Sequence, residues 1–535
     1  MLTFLAGARR AIEAARGNLC RGTRFMFGRR YLAATAMVLA LAATAGAQTA
    51  PTTIRVGLDV DAGSLDPRLA RDTSAYRATD LLYDGLVSLT PDLKPVPNLA
   101  VSWQNPDPTT WIFKLREGVT FHDGSAMTAD DVVFTYQTLL KPETNAPLRG
   151  LFTPISAVEA VDATTVKFTL SAPYSPLLTY MEIGIVPRKV VEAGGDLAAK
   201  PVGTGPMKLA RWDRGNRLVL EGNAQYWAGA PRVKEMQLVV IGDNSARAQA
   251  FEARNLDLIQ SPLSPQDIKR LRANANFANA VVSGLGVTYL NFNAADPLLG
   301  DPKLRAAIAQ LIDQKTIVDG LYQGVDQVAT SVLLPSSWAY SPDIRQPGHD
   351  PAAARKALDD LGWRPGADGI RVKDGKRLSL TVSTHSEDPN RVQAVEFIQN
   401  SLKQAGIDAQ IRISDWPSFS TNYVQKGQHQ IALLGWLNLV DPDRLLYSQL
   451  ASNGPLNWGK YANAEVDRQL NAGRQSLDIG ARTTAYRAAA TQIAQDLPYY
   501  IVSYQGYQLF HSKALGTVEV NPRGYLRNVI GLERR

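Results

Sequence analysis

Residues 378–436 have the sequence LSLTVSTHSEDPNRVQAVEFIQNSLKQAGIDAQIRISDWPSFSTNYVQKGQHQIALLGW, and this stretch decides the fold class. Apolar residues alternate at its start and again from Ile407 to Ile413, which predicts two strands. A helix ended by a glycine is predicted between them, over 389–405. A second helical segment, 416–426, precedes a buried apolar run at 431–436 that predicts a third strand. The order strand–helix–strand–helix–strand predicts an α/β fold with a parallel sheet and right-handed crossovers.

The ends of these strands predict the position of a binding site. In open parallel sheets, ligands bind beyond the carboxyl ends of the strands. Thr384–Glu387 follows the first strand and Gly435–Asn438 follows the last, so we expect both segments on one rim of the sheet.

The first 47 residues have the pattern of a secretory signal peptide. Seven arginines and the single acid Glu13 precede or flank an apolar run from Tyr31 to Ala43, and Ala45-Gly46-Ala47 forms a cleavage site. The apolar run is too short to span a bilayer, which needs roughly 20 residues. We therefore expect a cleaved leader over 1–47 and a periplasmic protein, with Met1 and Met26 both possible starts and the export route open.

The charge balance outside this leader excludes nucleic acid as a partner. The whole chain carries 57 basic and 50 acidic residues, and seven of the basic residues and one acid lie in 1–47. The remainder has a net charge of only +1, whereas nucleic-acid binding needs a basic surface. The sole cysteine, Cys20, also lies in the leader, so neither a disulfide nor a lipid anchor is expected beyond it.

Motifs of catalysis are missing from the sequence. The five histidines, at positions 122, 349, 385, 429 and 511, show no metal-binding spacing such as H-x-x-x-H. There is no G-x-S-x-G motif and no glycine fingerprint for a dinucleotide. We therefore expect no enzyme activity, no metal site and no cofactor.

A series of short motifs points to a known family. They are VGL at 56–58, SLDP at 64–67, LYDGLV at 82–87, PVPNLA at 95–100, FKLREGVTFHDG at 113–124, DDVVF at 130–134, VGTGP at 202–206, YWAGAP at 226–231 and YLNFN at 289–293. In this order they resemble the family 5 extracytoplasmic solute-binding proteins of ABC importers, of the peptide-, dipeptide- and nickel-binding type. The resemblance spans nearly all of residues 54–510.

The resemblance implies a bilobal, hinged periplasmic-binding-protein fold of type II, with an extra inserted subdomain. Lobe I is expected to comprise 48–80, 200–290 and 500–535, the subdomain 81–199, and lobe II 291–499. The lobes would close around a solute, and the closed monomer would dock on inner-membrane ABC permease subunits.

The resemblance also suggests binding residues after the last strand. In peptide-binding relatives this strand ends in Gly-Trp, and a loop follows with an acid that pairs with the ligand's α-ammonium group. Here Trp436 matches the tryptophan that forms an aromatic wall of the binding site in these relatives. The loop after it contains Leu437 and Asn438 but no acid before Asp441. Three alternatives follow. Asp441, which could instead be a turn residue, pairs with the ammonium group, or an acid from the other lobe such as Asp72 does so, or the ligand has no free amine. We favour a ligand without a free amine.

Two further segments are candidates. His385 occupies the position at which dipeptide-binding relatives have an arginine that binds the ligand carboxylate. In place of the permanent charge of arginine, His385 would offer a hydrogen bond and a charge that depends on pH. A solvent-facing loop histidine is the alternative. Asp72, Thr73 and Ser74 are expected to contact the ligand from lobe I.

The sequence does not determine the chemical identity of the ligand. A peptide is the default solute, and an opine-like, sugar-derived or metal-chelate solute is the alternative. An extracytoplasmic enzyme or chaperone on the same fold is the third possibility.

Overall fold

The computed structural model describes residues 53–533, which confirm the predicted α/β class. The predicted leader, 1–47, lies outside the described residues. Within the described range, no helix combines the length and the apolar character that a bilayer span requires.

Within residues 53–533, twenty strands build the sheets. They are β1 Thr53–Leu58, β2 Val87–Leu89, β3 Pro95–Pro97, β4 Ala100–Asp107, β5 Thr110–Leu115, β6 Ile155–Asp162, β7 Thr165–Leu170, β8 Met207–Asp213, β9 Arg217–Gly222, β10 Glu235–Val240, β11 Leu258–Ile259, β12 Phe277–Phe292, β13 Gln327–Val328, β14 Arg364–Pro365, β15 Arg371–Lys373, β16 Lys376–Arg377, β17 Ser379–His385, β18 Asp408–Ser414, β19 Ile431–Trp436 and β20 Tyr499–Ser512.

Fourteen α-helices are present in the described part of the chain. They are α1 Thr73–Leu82, α2 Ala129–Leu140, α3 Arg149–Phe152, α4 Leu177–Tyr180, α5 Arg188–Glu192, α6 Asn244–Glu252, α7 Pro265–Ala273, α8 Pro302–Gln310, α9 Gln314–Ile317, α10 Pro351–Asp360, α11 Pro389–Gln404, α12 Pro442–Leu450, α13 Ala464–Gln475 and α14 Ile479–Asp496. Two π-helical segments, Val318–Tyr322 and Pro417–Val424, and three short 3-10 turns, Pro142–Thr144, Lys513–Leu515 and Arg527–Val529, complete the helical elements.

One large sheet runs through the molecule in the order β18-β17-β19-β12-β20-β11-β1-β10-β9-β8, with β13 added at β20. Its two middle strands, β12 and β20, are long enough to pair with different neighbours along their length. The later part of β12, Val287–Phe292, pairs with β19, while the later part of β20 pairs with β11. The pairing between β12 and β20 shifts register between Ser283 and Gly286, at the point where the neighbours change.

A separate four-stranded antiparallel sheet, β4-β5-β7-β6, lies with α2 between β1 and β8 in the sequence. It has its own apolar core, in which the rings of Phe113, Tyr136 and Phe168 make edge-to-face contacts at 5.0–5.4 Å. Leu285 of β12 and Val440 of the loop after β19 also belong to this core. Residues far apart in the sequence therefore share one apolar cluster.

The elements predicted from residues 378–436 are confirmed. β17 pairs in parallel with β18 and β19, and α11 lies between β17 and β18 as expected. The helix ends before Gly406, whose φ of +83° suits a glycine because other residues are strained there. Thr128 and Asp131 form a capping box at the beginning of α2.

His429, just before β19, makes the stability sensitive to acid. Its side chain is buried, and burial lowers its pKa from 6.5 to about 4. The unfolded chain takes up this proton below pH 6.5 and the folded chain does not, so the contribution of neutral His429 is lost as the pH falls from about 6.5 to 4. The loss amounts to at most about 3 kcal/mol. We expect melting temperatures measured from pH 7.5 to pH 4.5 to fall more steeply for the wild type than for His429→Gln. Parallel curves would contradict this role.

Candidate functional site

A cavity lies where several segments of the chain meet. It is lined by α1 and by residues from 83–88, 148–152, 179–184, 438–444 and 523–527, together with Pro67 and Asn98. We call it the junction cavity. It joins segments that the sequence assigns to both lobes and to the inserted subdomain.

One face of α1 forms a polar wall of the junction cavity. The side chain of Asp72 begins the helix by accepting a hydrogen bond from the backbone N–H of Ala75. Tyr76, Thr79 and Asp80 then line the cavity. Residues three and four positions apart share one face of a helix, so the apolar residues on the other faces pack into the core.

Two arginines near the C-terminus hold the acids beside this wall. Arg527 Nη1 lies 2.5 Å from Asp84 Oδ1, and Arg523 Nη1 lies 2.5 Å from Glu182 Oε1. Asp80 is held less closely, with Oδ1 3.5 Å from Arg527 Nε. Because guanidinium–carboxylate pairs are strong when desolvated and well aligned, these contacts fix the C-terminal segment against α1.

Burial shifts the pKa values of two acids beside this wall. It raises the pKa of Asp80, and the positive charge of Arg527 opposes the rise. It also raises the pKa of Glu182, where Arg523 opposes it. Desolvation disfavours the charged form of a carboxyl group, and the neighbouring arginines counteract this effect on both acids.

The opposite wall comes from the loop after β19 and from α12. Asn438 adopts a φ of +56°, a left-handed conformation that asparagine tolerates better than most residues. This turn brings Asn438 and Val440 to the cavity, and Arg444 reaches it from the first turn of α12.

Five buried polar atoms on the cavity residues have no hydrogen-bond partner in the structure. They are Asp80 Oδ2, Tyr83 OH, Tyr180 OH, Arg444 Nε and Arg523 Nε. Buried polar groups are nearly always paired with protein, water or ligand. Their concentration at one cavity marks a place where polar groups of a solute would find partners.

Of the eight residues predicted for the site, Asn438 alone lines the junction cavity. Trp436 and Leu437 lie beside the register shift of β12. The Trp436 ring meets that of Trp458 edge-on at 6.3 Å, and the Leu437 side chain lies over Gly286. The indole N–H of Trp436 is buried without a partner.

Asp441 has a structural role, which corrects its prediction as a ligand contact. Its carboxylate begins α12 by accepting from the backbone N–H of Asp443, and both its oxygens accept from Arg482 Nη2 at 2.8 Å. With 1 % of its surface exposed, it has no free face for an ammonium group. The alternative of a turn residue therefore holds.

His385 is buried at the end of β17, so it is not a solvent-facing loop residue. Arg391 Nη1 donates to His385 Nε2 at 2.9 Å, and the ring therefore donates from Nδ1 to Glu387 Oε2 at 3.0 Å. Burial lowers the pKa of His385, and Arg391 adds to this effect. Arg391 thus places a permanent charge beside His385, and the role of His385 toward a ligand carboxylate stays a prediction.

The segment 72–74 is occupied by local contacts. Asp72 also accepts from the backbone N–H of Gly63, and the hydroxyl of the buried Ser74 donates to the carbonyl of Val60. Thr73 is the first residue of α1. None of the three lines the junction cavity, which α1 reaches one to two turns further along, at Tyr76, Thr79 and Asp80.

The sequence did not lead us to expect Asp80, Arg444, Arg523 and Arg527 at this cavity. Arg444 offered a signal, because it follows the predicted residue Asp441 within one helical turn. The two C-terminal arginines offered none, since their partners lie more than 300 residues away in the sequence. No group of three or more histidine, cysteine or acidic side chains within residues 53–533 is arranged to hold a metal ion.

Comparisons with known proteins assign this architecture. The family model for bacterial extracellular solute-binding proteins, family 5 (middle region), matches residues 94–457. Protein XP55 of Streptomyces lividans is 31 % identical over 496 residues, which cover 88 % of this chain and 89 % of that protein.

Two solved structures show the same fold. The oligopeptide-binding protein AppA of Bacillus subtilis, in complex with a nonapeptide, superposes with a TM-score of 0.78 at 25 % identity, covering 91 % of this chain and all of AppA. NikA of Brucella suis, in complex with Fe(III)-EDTA, superposes with a TM-score of 0.82 at 24 % identity, covering 90 % of this chain and all of NikA. The bilobal type II architecture is thereby confirmed.

Proposed function

Because the chain belongs to the family 5 bacterial extracellular solute-binding proteins, the substrate-binding components of ABC importers, we propose that it captures a peptide or a related small solute in the junction cavity. The solute is then delivered unchanged to a membrane permease. The bound peptide of the AppA structure supports a peptide as the default ligand.

The observation that carries this proposal is the cluster of unpaired polar atoms at the junction cavity. A binding site is a concave surface with a few well-placed polar groups, and here these groups come from α1, α4, α12 and the C-terminal segment. A solute seated there contacts both lobes at once. It would therefore favour the closed arrangement over an open one.

The strands β12 and β20 are the proposed hinge. They pass from one half of the large sheet to the other, and their pairing shifts between Ser283 and Gly286. Away from the cavity, the backbone N–H of Ser175 donates to the carbonyl of Arg474 at 2.8 Å, and the Arg474 guanidinium lies 4.9 Å from the ring of Tyr174. Opening of the lobes would break these contacts between the subdomain and α13.

The cellular setting follows from the family and the predicted leader. We propose cleavage after Ala47, a periplasmic monomer and docking of the closed form on inner-membrane ABC permease subunits. The lobe boundaries proposed are those predicted from the sequence, with 81–199 as the inserted subdomain.

Small-angle X-ray scattering tests this function. Protein purified from its native host is denatured, the released solute is identified by mass spectrometry, and the refolded protein is measured with and without that solute. We expect the radius of gyration to fall on addition of the solute, because the lobes close. We also expect the solute to be recovered with its mass unchanged.

Two outcomes would contradict the proposal. A radius of gyration that does not change with any released solute would argue against a hinged receptor. Recovery of a chemically altered solute would favour the enzyme alternative. Identification of an opine-like, sugar-derived or chelate solute would keep the receptor function and replace the peptide.

A further inference from the structure

The inserted subdomain is tied to the segments predicted as lobe I by several polar contacts. His122 Nδ1 accepts from the backbone N–H of Gly203 at 3.2 Å, so the ring donates from Nε2 to the carbonyl of Gly205 at 3.1 Å. Two acids of the subdomain segment form the ion pairs with Arg523 and Arg527 that are described above. Because these contacts fix the subdomain at several points, we expect it to move together with lobe I.

The hydrogen bonds from the subdomain to the segment predicted as lobe II are concentrated at the end of one helix. The last carbonyl groups of an α-helix have no partner within the helix, and α13 ends at Gln475. The backbone N–H of Ser175 donates to the carbonyl of Arg474 at 2.8 Å, and the Ser175 hydroxyl donates to the same carbonyl at 3.0 Å. A residue of the subdomain thus caps a helix of lobe II.

The side chain of Arg474 extends this contact. Its guanidinium lies 3.5 Å from the ring centroid of Tyr447 in α12 and 4.9 Å from that of Tyr174 in the subdomain. A guanidinium within about 6 Å of an aromatic ring is attracted to it. On the lobe II side, Arg474 Nε lies 3.2 Å from Oδ1 of the buried Asp443. We call Tyr174, Ser175 and Arg474 the latch.

The latch is separate from the place where a solute would bind. None of its three residues lines the junction cavity, so its contacts form without any solute. Because the subdomain is fixed to lobe I, contacts between the subdomain and α13 can form only when the two lobes are closed.

We propose that the latch stabilises the closed arrangement without a solute, so that part of the ligand-free molecules is closed. This inference goes beyond the proposed function, from which it takes only the hinge between the lobes. The apparent affinity of a solute scales with the fraction of molecules in the binding-competent state. The latch therefore changes the affinity for every solute by a common factor, whereas the cavity residues determine which solute binds.

Pulsed electron–electron double resonance measures the closed fraction directly. Spin labels are attached at Glu159→Cys in the subdomain and at Lys356→Cys in lobe II, where the native side chains are 59 % and 76 % exposed. The only cysteine of the sequence is Cys20, so the secreted protein cleaved after Ala47 has no other thiol. For the ligand-stripped protein we expect two populations of label distances, one of which matches this structure.

Two variants weaken the latch from its two sides. Ser175→Ala should lower the ratio of closed to open molecules about fivefold, which corresponds to one ordinary hydrogen bond. Arg474→Lys keeps a positive charge beside Asp443 but loses the planar group that lies near the tyrosine rings, and we expect a decrease of about threefold. Thermal melting checks that each variant is folded. If Arg474→Lys does not fold, Ser175→Ala decides the question alone.

Matched controls come from the same subdomain and the same helix. The Ser171 hydroxyl donates to the carbonyl of Pro154 within the subdomain, so Ser171→Ala removes a hydrogen bond that does not cross to lobe II. Arg468 pairs with Glu465 on the surface of α13, so Arg468→Lys changes an arginine of that helix outside the latch. Both controls should keep the wild-type ratio of closed to open molecules.

The outcomes separate the latch from the receptor function. A ligand-free wild type with a single, open population would overturn the latch, and so would equal closed fractions for the wild type and Ser175→Ala. If Ser175→Ala lowers the closed fraction but no released solute compacts the protein, the latch stands and the receptor function is overturned.

Discussion

Replacing Asp441 with asparagine is expected to lower the free energy of unfolding by about 3–5 kcal/mol, the cost of leaving a buried ion-pair partner without its counter-charge. Both carboxylate oxygens of Asp441 accept from Arg482 Nη2 at 2.8 Å, and both side chains are buried. Asparagine begins a helix about as well as aspartate, so the cap on α12 should survive. The change therefore isolates the lost charge, and thermal melting measures it.

The control for Asp441→Asn is Asp360→Asn. Asp360 pairs with Lys356 at 2.6 Å, but these side chains are 63 % and 76 % exposed, and exposed pairs contribute little. We expect its melting temperature to stay near that of the wild type. Equal melting temperatures for the two variants would show that the Asp441–Arg482 pair does not stabilise the fold. Lost peptide binding by a normally stable Asp441→Asn would restore Asp441 as a ligand anchor.

Replacing Gly506 with alanine is expected to cost about 3 kcal/mol, at the upper end of the usual range for overpacking. A Cβ atom built on Gly506 would lie 1.9 Å from the carbonyl oxygen of Val325. This neighbour is backbone, so no rotamer change relieves the clash. The N–H of Gly506 also donates to Asp326 Oδ1 at 3.1 Å, which holds the two segments together.

Gly320→Ala is the matched control for Gly506→Ala. It lies in the π-helical segment Val318–Tyr322, and a Cβ atom there meets nothing within 4 Å. Alanine should be neutral or slightly stabilising at this position. Because Gly506 pairs with Ser283 at the register shift, Gly506→Ala should also reduce the compaction caused by ligand. A normal melting temperature for Gly506→Ala would mean that the backbone relaxes around the new methyl group.

The strands and helices of residues 378–436 could be predicted from the sequence because their apolar periodicity is local. The same holds for the capping box at Thr128, where donor and acceptor lie three residues apart. Asn438 could be predicted as part of a site because it follows a parallel strand, and the rim of such a sheet is set by chain direction alone.

Most of the other charged residues of the cavity are held by ion pairs between residues far apart in the sequence, and no local sequence pattern reveals such pairs. Glu182 meets Arg523 across 341 residues, and Asp84 meets Arg527 across 443. Asp441 was a candidate anchor until its partner Arg482, 41 residues away, was known. Arg391 lies only six residues after His385, yet its guanidinium also lies against Gly435 of β19, a contact that no local pattern records.

The position of β20 has a consequence for the order in which the polypeptide can acquire its structure. Residues 499–512 are the last strand in sequence, yet they lie in the middle of the large sheet, between β12 and β11. A chain that is synthesised from its N-terminus cannot join the two halves of this sheet until about 500 residues have been made. Pairing over such sequence separations is slow. The two halves of the sheet can therefore form separately, and the strand that joins them is added last.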